Sequence, residues 1–157
     1  KLNSLTGTLE ENIKYLSSNY DAVVAWDVLE HLNDPLGFLN NVNSVMKKDG
    51  ILCFSTLDID SWFPSLMGKN WPWLMEMHLF YYDSFTTEKL LNKAGFNLIE
   101  SKKYVHFVSI QYLLRKVISI LPSRFSKFIN IFKYVIPQKV MLPISFGDIK
   151  LYICRKQ

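Results

Sequence analysis

The chain has 157 residues, 49% hydrophobic and 20% charged, values that fit one folded domain and exclude a disordered tail. Six Gly and six Pro exclude collagen-like or low-complexity sequence, and two Cys, Cys53 and Cys154, cannot build a disulfide framework, so a reducing, cytoplasmic setting is expected. The net charge of +4 hides a split: residues 1–100 balance at −6 and residues 101–157 at +10, with no acid from Ser101 to Gly147, a distribution that attracts anions such as acidic lipid headgroups.

The first strand signal is Ala22-Val23-Val24-Ala25-Trp26. It is continuously apolar rather than alternating, as in a parallel strand covered on both faces. Asn33-Asp34-Pro35 then starts a helix, since Asp34 can cap and Pro35 suits the first turn. Phe38, Leu39, Val42, Val45 and Met46 share one helical face. Lys47 and Lys48 are expected at that helix's negative end, with Gly50 as its exit. Ile51–Thr56 is a second apolar strand, so this span reads as a βαβ unit with two parallel strands.

The stretch Asp58–Asp83 is irregular and carries Trp62, Trp71, Trp73, Tyr81 and Tyr82. Thr86 or Thr87 is expected to cap the next helix, with Leu90, Leu91 and Ala94 facing inward and Gly95 ending it. Phe96–Glu100 opens a third strand. Residues 107–121 and 125–136 read as two basic amphipathic helices broken by Pro122. Ile149–Cys154 is the last strand. The longest uncharged apolar stretch, Tyr104–Leu114, is too short to span a bilayer. No secretory leader follows Lys1, and the missing start Met implies that residues precede it.

Tyr20 through Leu32 with Asp34-Pro35 resembles the fourth strand and following turn of class I S-adenosylmethionine-dependent methyltransferases. The helix that follows and Lys48–Thr56 resemble the family's next helix and fifth strand. Met77–Tyr82, the helix at Thr87–Ala94, Ala94-Gly95-Phe96 and the closing strand are similar to later segments, in the family's order. The similarity covers residues 20–100 and 147–156, and is strongest to quinone-precursor and polysaccharide-cluster enzymes.

The resemblance implies an α/β fold: the C-terminal half of a Rossmann-like sheet, with two parallel strands, a C-terminal pair containing an antiparallel last strand, and helices on both faces. Residues 1–157 would be a single partial domain, and 105–145 a basic helical insertion within it. The family's first strand and GxGxG loop do not occur here. The six Gly, at 7, 37, 50, 68, 95 and 147, are too far apart to form one. The isolated chain is therefore expected to be inactive and to bind cofactor weakly. The fourth strand pairs with the first in that family, so the edge along Ala22–Trp26 should be open, inviting a homodimer or aggregation.

S-adenosylmethionine is the cofactor that the resemblance implies. Its binding residues would be Gly7, Thr8 and Leu9, near where the family holds adenine, and Trp26, Asp27, Val28 and His31 beyond the strand's carboxyl end. Thr56, Asp58, Trp73, His78 and Tyr81 would contact the acceptor. His31 and His78 are the base candidates, because imidazole titrates near neutral pH. Each has a plainer alternative. Asp27 could cap the following turn, His31 could bond backbone, and His78 could simply pack among aromatics. Glu30 reads as an exposed or capping carboxylate, and His106 as structural. No His/Cys/Asp/Glu set has metal-ligand spacing, so no metal site is expected.

The leading expectation is methyl transfer to a small-molecule acceptor, on oxygen. The alternative is a non-catalytic scaffold that docks on an anionic membrane surface or a protein partner. Nucleic acid is not expected, because no aromatic–basic recognition motif occurs.

Overall fold

The computed structural model describes residues 4–111 and 140–157. The chain divides into two compact units, one of residues 1–104 and 146–157, the other of residues 105–145.

The larger unit is built on a mixed sheet. After α1 (Leu9–Asn12) come β1 (Tyr20–Trp26), α2 (Pro35–Val45), β2 (Met46–Leu57), α3 (Trp62–Met67), α4 (Ser84–Lys93), β3 (Phe96–Lys103) and, after the smaller unit, β6 (Ile149–Lys156). The strand order is β1-β2-β6-β3. β1 and β2 are parallel, with Val24 opposite Cys53. β6 runs antiparallel to β2, with Phe54 opposite Tyr152, and to β3, with Leu98 opposite Cys154. These are the two parallel strands and the antiparallel last strand read from the sequence.

The apolar runs explain the core. Leu52, Phe54, Leu39, Val42, Leu91, Phe96, Tyr152 and Cys154 are fully buried in one cluster. The Phe54 and Tyr152 rings stack at 5.0 Å across the β2–β6 pair. Each such side chain contributes about 1.5–3 kcal/mol by leaving water. Burial pushes the Cys154 thiol up to about 12. Both cysteines are free, and they belong to alternate positions of the β2–β6 register. A second cluster of Leu57, Trp71 and Ile149, packed by Phe63, Met67, Trp73 and Tyr81, sits beneath the irregular 58–83 stretch.

Helix ends are where the sequence reading needs correction. Asp34 caps α2 as expected, accepting the Gly37 N–H at 2.9 Å. The helix stops at Val45, however, and Met46–Leu57 is all strand. Lys47 instead pairs with Asp21 at 2.6 Å. The cation at the end of α2 is Lys156, whose Nζ donates to the carbonyls of Asn43 and Met46 at 2.7 and 2.9 Å. A cation brought by the last strand thus takes the role expected of local lysines. At α4 the cap is Asp83, not Thr86 or Thr87; its carboxylate accepts the Thr86 N–H at 2.6 Å. A carboxylate is the stronger acceptor at a helix's positive end. Gly95 does end this helix, at φ 76°.

In the smaller unit, β4 (His106–Ser109) pairs antiparallel with β5 (Met141–Ile144). The helix expected from residue 107 therefore begins as a strand. Its Val and Phe residues suit a pleated surface, and Met141–Ile144 supplies the partner. The remainder of that expected helix beyond residue 111, and all of 125–136, lie outside the described residues. Among the described residues no helix is long and apolar enough to cross a membrane.

Candidate active site

The carboxyl ends of β1 and β2 lie side by side, which is where open α/β sheets hold their ligands. Asp27 follows β1 directly and has φ 50°. Its N–H donates to the Ser55 hydroxyl at 3.0 Å, and that hydroxyl donates back to the Asp27 carboxylate at 2.7 Å. Asp27 does not cap the following turn, Leu29–His31, which has no side-chain cap.

Glu30 is the largest departure from the sequence reading. It is not exposed but 1% accessible. The Thr56 hydroxyl donates to its Oε2 at 3.0 Å, and its backbone carbonyl accepts the N–H of Leu79 at 2.7 Å. Glu30 thus anchors the 73–82 segment to the end of β2. Burial, the dominant cause, raises its pKa above the ordinary 4.5, helped by the Asp27 charge and opposed by hydrogen bonds. Burial and the Glu30 charge likewise push the Tyr82 phenol up.

The sign of the Glu30 shift carries a prediction. The folded state holds this proton to higher pH than the unfolded chain does. Stability from this group is therefore lost as pH rises from 4.5 through the folded value. Glu30→Gln keeps an acceptor for Thr56 and removes the buried charge. The variant is expected to be more stable than the parent at pH 8 and no more stable at pH 4. Urea unfolding at the two pH values reads this, and a less stable Gln variant at pH 8 would contradict it.

The two histidines meet. Their ring centroids are 4.6 Å apart, edge to face. Nδ1 of His31 lies 2.9 Å from the Met77 carbonyl and Nδ1 of His78 lies 2.7 Å from the Trp73 carbonyl. A carbonyl only accepts, so each Nδ1 carries the hydrogen and each neutral ring keeps its lone pair on Nε2. Tyr81 fixes the loop that positions His78. Its hydroxyl accepts the Met75 N–H at 3.1 Å and lies 3.3 Å from the Trp73 carbonyl. Donor atoms of Glu30, His31 and His78 all fall within 4.8 Å of one another, a set able to hold a cation. Sequence spacing did not reveal it, because His78 comes from a separate segment.

The other named residues divide. Thr8 and His31 line one cleft of about 450 Å³ with Glu10, Asn33, Asp34 and Asn41. Thr8 also caps α1 reciprocally with Glu11. Gly7, at φ 99°, permits the turn before it, where a side chain would meet the Glu11 carboxylate. Leu9 lies apart, in an apolar recess of about 350 Å³ with Val23, Phe38 and Val45. Trp26 is 48% exposed at the strand end, and Val28 is half-buried behind it. Thr56 is buried on Glu30. Asp58 is buried and paired with Lys150 at 2.6 Å. Trp73 and Tyr81 are half-buried beside His78. Trp62 is 56% exposed, whereas Trp71 is buried and donates to Asp148 at 2.9 Å.

The cofactor that the fold implies is cationic and rich in hydrogen-bonding groups. The residues present fit part of it: a polar cleft bearing Glu10 and Asp34, and a carboxylate held at a strand end. A glycine-rich phosphate-loop-like turn is not in this sequence.

Comparison with known proteins agrees with this fold. Residues 2–101 match the family model described as a methyltransferase domain. The chain is 31% identical over 72 residues to a ubiquinone biosynthesis O-methyltransferase of Vibrio parahaemolyticus, covering 45% of this chain and 31% of that protein. It is 27% identical over 105 residues to its namesake in Cereibacter sphaeroides, covering 62% and 42%. The chain thus spans less than half the length of these curated relatives. Among solved structures, a SAM-dependent methyltransferase of Thermotoga maritima, titled a possible histamine N-methyltransferase, superposes with TM-score 0.58 at 18% identity, covering 98% of this chain and 63% of that one. One from Archaeoglobus fulgidus superposes with TM-score 0.57 at 17% identity, covering 99% and 68%. At these identities the superpositions establish the fold alone. With the family model matching most of its length, the chain belongs to the methyltransferase-domain family, of the class I S-adenosylmethionine-dependent type.

Proposed function

We propose that this chain is the acceptor-side part of a small-molecule methyltransferase acting on oxygen. The observation that carries the reading is the His31–His78 pair, whose two Nδ1 atoms are held on carbonyls and whose two Nε2 atoms have no hydrogen-bond partner among the described residues. S-adenosylmethionine, when bound, supplies an electrophilic methyl group. The chain's task is then to align an acceptor hydroxyl and take its proton. His78 is the base in this reading. It is half-buried, and the aromatic segment holding it, with Trp73 and Tyr81, forms the acceptor wall. His31 and Thr8 belong to the cofactor cleft. Thr56 and Asp58 support the floor. The relatives' printed name, ubiquinone biosynthesis O-methyltransferase, favours an apolar phenolic acceptor.

The open edge of β1, with Val24 57% exposed, is the place for a further strand, either from the complete protein or from a second copy. The basic 105–145 segment is proposed as an insertion facing anionic surfaces, on the strength of its charge alone.

Calorimetry with S-adenosylhomocysteine tests the reading. The complete protein carrying this chain is expected to bind at micromolar concentration, and the isolated chain far more weakly. A complete protein that does not bind would overturn the assignment, and micromolar binding by the isolated chain would overturn the division of labour.

A further inference from the structure

Three acidic residues are buried among the described residues: Glu30, Asp58 and Asp148. Glu30 receives the Thr56 hydroxyl, and Asp58 receives Lys150. Asp148 has no part in the proposed reaction, yet its Oδ2 accepts the Trp71 indole N–H at 2.9 Å, with both residues 4% accessible. The bond joins segments far apart in the chain. Asp148 directly precedes β6, and its backbone carbonyl accepts the Asp58 N–H at 2.9 Å. Trp71 opens the turn that leads to His78. Its carbonyl accepts the Leu74 N–H at 3.0 Å, and Trp73, inside that turn, offers the carbonyl that holds His78 Nδ1 at 2.7 Å. The Trp71 ring also lies 5.8 Å from the Tyr81 ring. Tyr81 in turn receives the Met75 N–H and meets the His78 ring edge-on at 6.2 Å. The orientation of Trp71 therefore reaches His78 by two routes, the backbone of the 71–74 turn and the Tyr81 ring.

A buried carboxylate is costly where only packing is wanted. A phenylalanine at position 71 would fill the cluster with Leu57 and Ile149 and need no acceptor. What the Trp71–Asp148 pair supplies is direction. An indole has a single N–H, so one fixed acceptor selects one rotation of the ring, where an apolar cluster alone allows more than one. Misplacing a reacting group by about 1 Å costs on the order of 10²-fold in rate, so the direction of this ring bears on catalysis as well as on stability.

We infer that Asp148 is a positioning residue: it fixes the Trp71 indole, and through Trp71 and Tyr81 it holds the His78 ring with its hydrogen on Nδ1. The effect on rate rests on the function proposed above, whereas the state of the ring is read directly. The complete protein is labelled with nitrogen-15 in its histidines and recorded at alkaline pH, where imidazole is neutral. The His78 signals are identified by their loss in His78→Gln. The parent is expected to carry the hydrogen on Nδ1. In Asp148→Leu the His78 nitrogens are expected to move to the values of a ring exchanging between its two tautomers, and kcat to fall about tenfold or more. S-adenosylhomocysteine should still bind this variant with the parent's affinity and stoichiometry, so that the lost rate is not a lost fraction of folded protein. Asp148→Asn, which keeps an oxygen for the indole, is expected to restore both the His78 signals and the rate.

The double variant Asp148→Leu, Trp71→Phe leaves no buried N–H without an acceptor, so it keeps the fold even if the single variant does not. It is expected to show the same altered His78 signals and the same low kcat. Parent-like signals and kcat in the double variant would show that the bond serves stability alone, and the inference would be wrong. Unchanged His78 signals in Asp148→Leu, or an Asp148→Asn as impaired as Asp148→Leu, would also overturn it. If His78→Gln transfers methyl groups at the parent's rate, the functional reading falls instead, and the His78 signals alone decide whether Asp148 positions the ring.

Discussion

Replacing Lys150 by Met is expected to destabilise the fold by about 3–5 kcal/mol. Lys150 Nζ lies 2.6 Å from Asp58 Oδ2, with side-chain exposures of 23% and 4%. The second carboxylate oxygen, Oδ1, is buried with no hydrogen-bond partner among the described residues. Asp58 therefore relies heavily on this one cation. Removing it strands a charge in a low-dielectric setting, and stranding costs more than the pair contributes. Ser84 also loses its 2.6 Å contact with the ammonium. The double variant Lys150→Met, Asp58→Asn has no charge to strand and is expected to recover most of the loss. Urea unfolding measures both. A single variant that loses under 1 kcal/mol would show that solvent reaches Asp58 and screens it.

His78→Ala is expected to slow methyl transfer by the complete protein about 10²–10⁴-fold, the usual worth of a positioned general base. His31→Ala should cost less in rate and more in cofactor affinity, because His31 lines the cleft shared with Thr8. Neither variant should unfold the protein. His31 is exposed and His78 is half-buried, and neither belongs to the fully buried core. The lost hydrogen bonds are to the carbonyls of Met77 and Trp73. A wild-type rate from His78→Ala would remove it from the mechanism and leave it as a packed ring between Trp73 and Tyr81.

The parts of the fold set by local pattern were legible beforehand. Continuous apolar runs gave β1 and β2, and Asp34-Pro35 gave the start of α2. The right-handed crossover rule gave their parallel pairing. What escaped depends on partners distant in the chain. Lys156 caps α2 from the far end of the sequence, so local lysines were credited instead. Asp83 was overlooked beside two threonines that also cap helices well. The first residues of the smaller unit had a helical stripe, but a strand partner at Met141–Ile144 outweighed it.

The site divides in the same way. His31, His78, Thr8 and Asp27 were each recognisable by residue type and by their place after a strand or in the aromatic segment. Their mutual geometry was not. Glu30 looked like one more surface carboxylate, because nothing in Leu29-Glu30-His31 announces that Thr56 and the Leu79 amide will enclose it. Ser55 went unremarked for the same reason. The available signal was two hydroxyls, Ser55 and Thr56, at the end of an otherwise apolar strand, which is where a sheet turns from core to site.

The most direct test of the central claim is transfer of a labelled methyl group. The complete protein is incubated with methyl-labelled S-adenosylmethionine and a catechol bearing an apolar chain, with His78→Ala as the control. Label in an ether-linked methyl of the catechol, lost in the control, is the expected result. Binding of S-adenosylhomocysteine without transfer to any oxygen acceptor, or transfer to an amine instead, would contradict the assignment to oxygen.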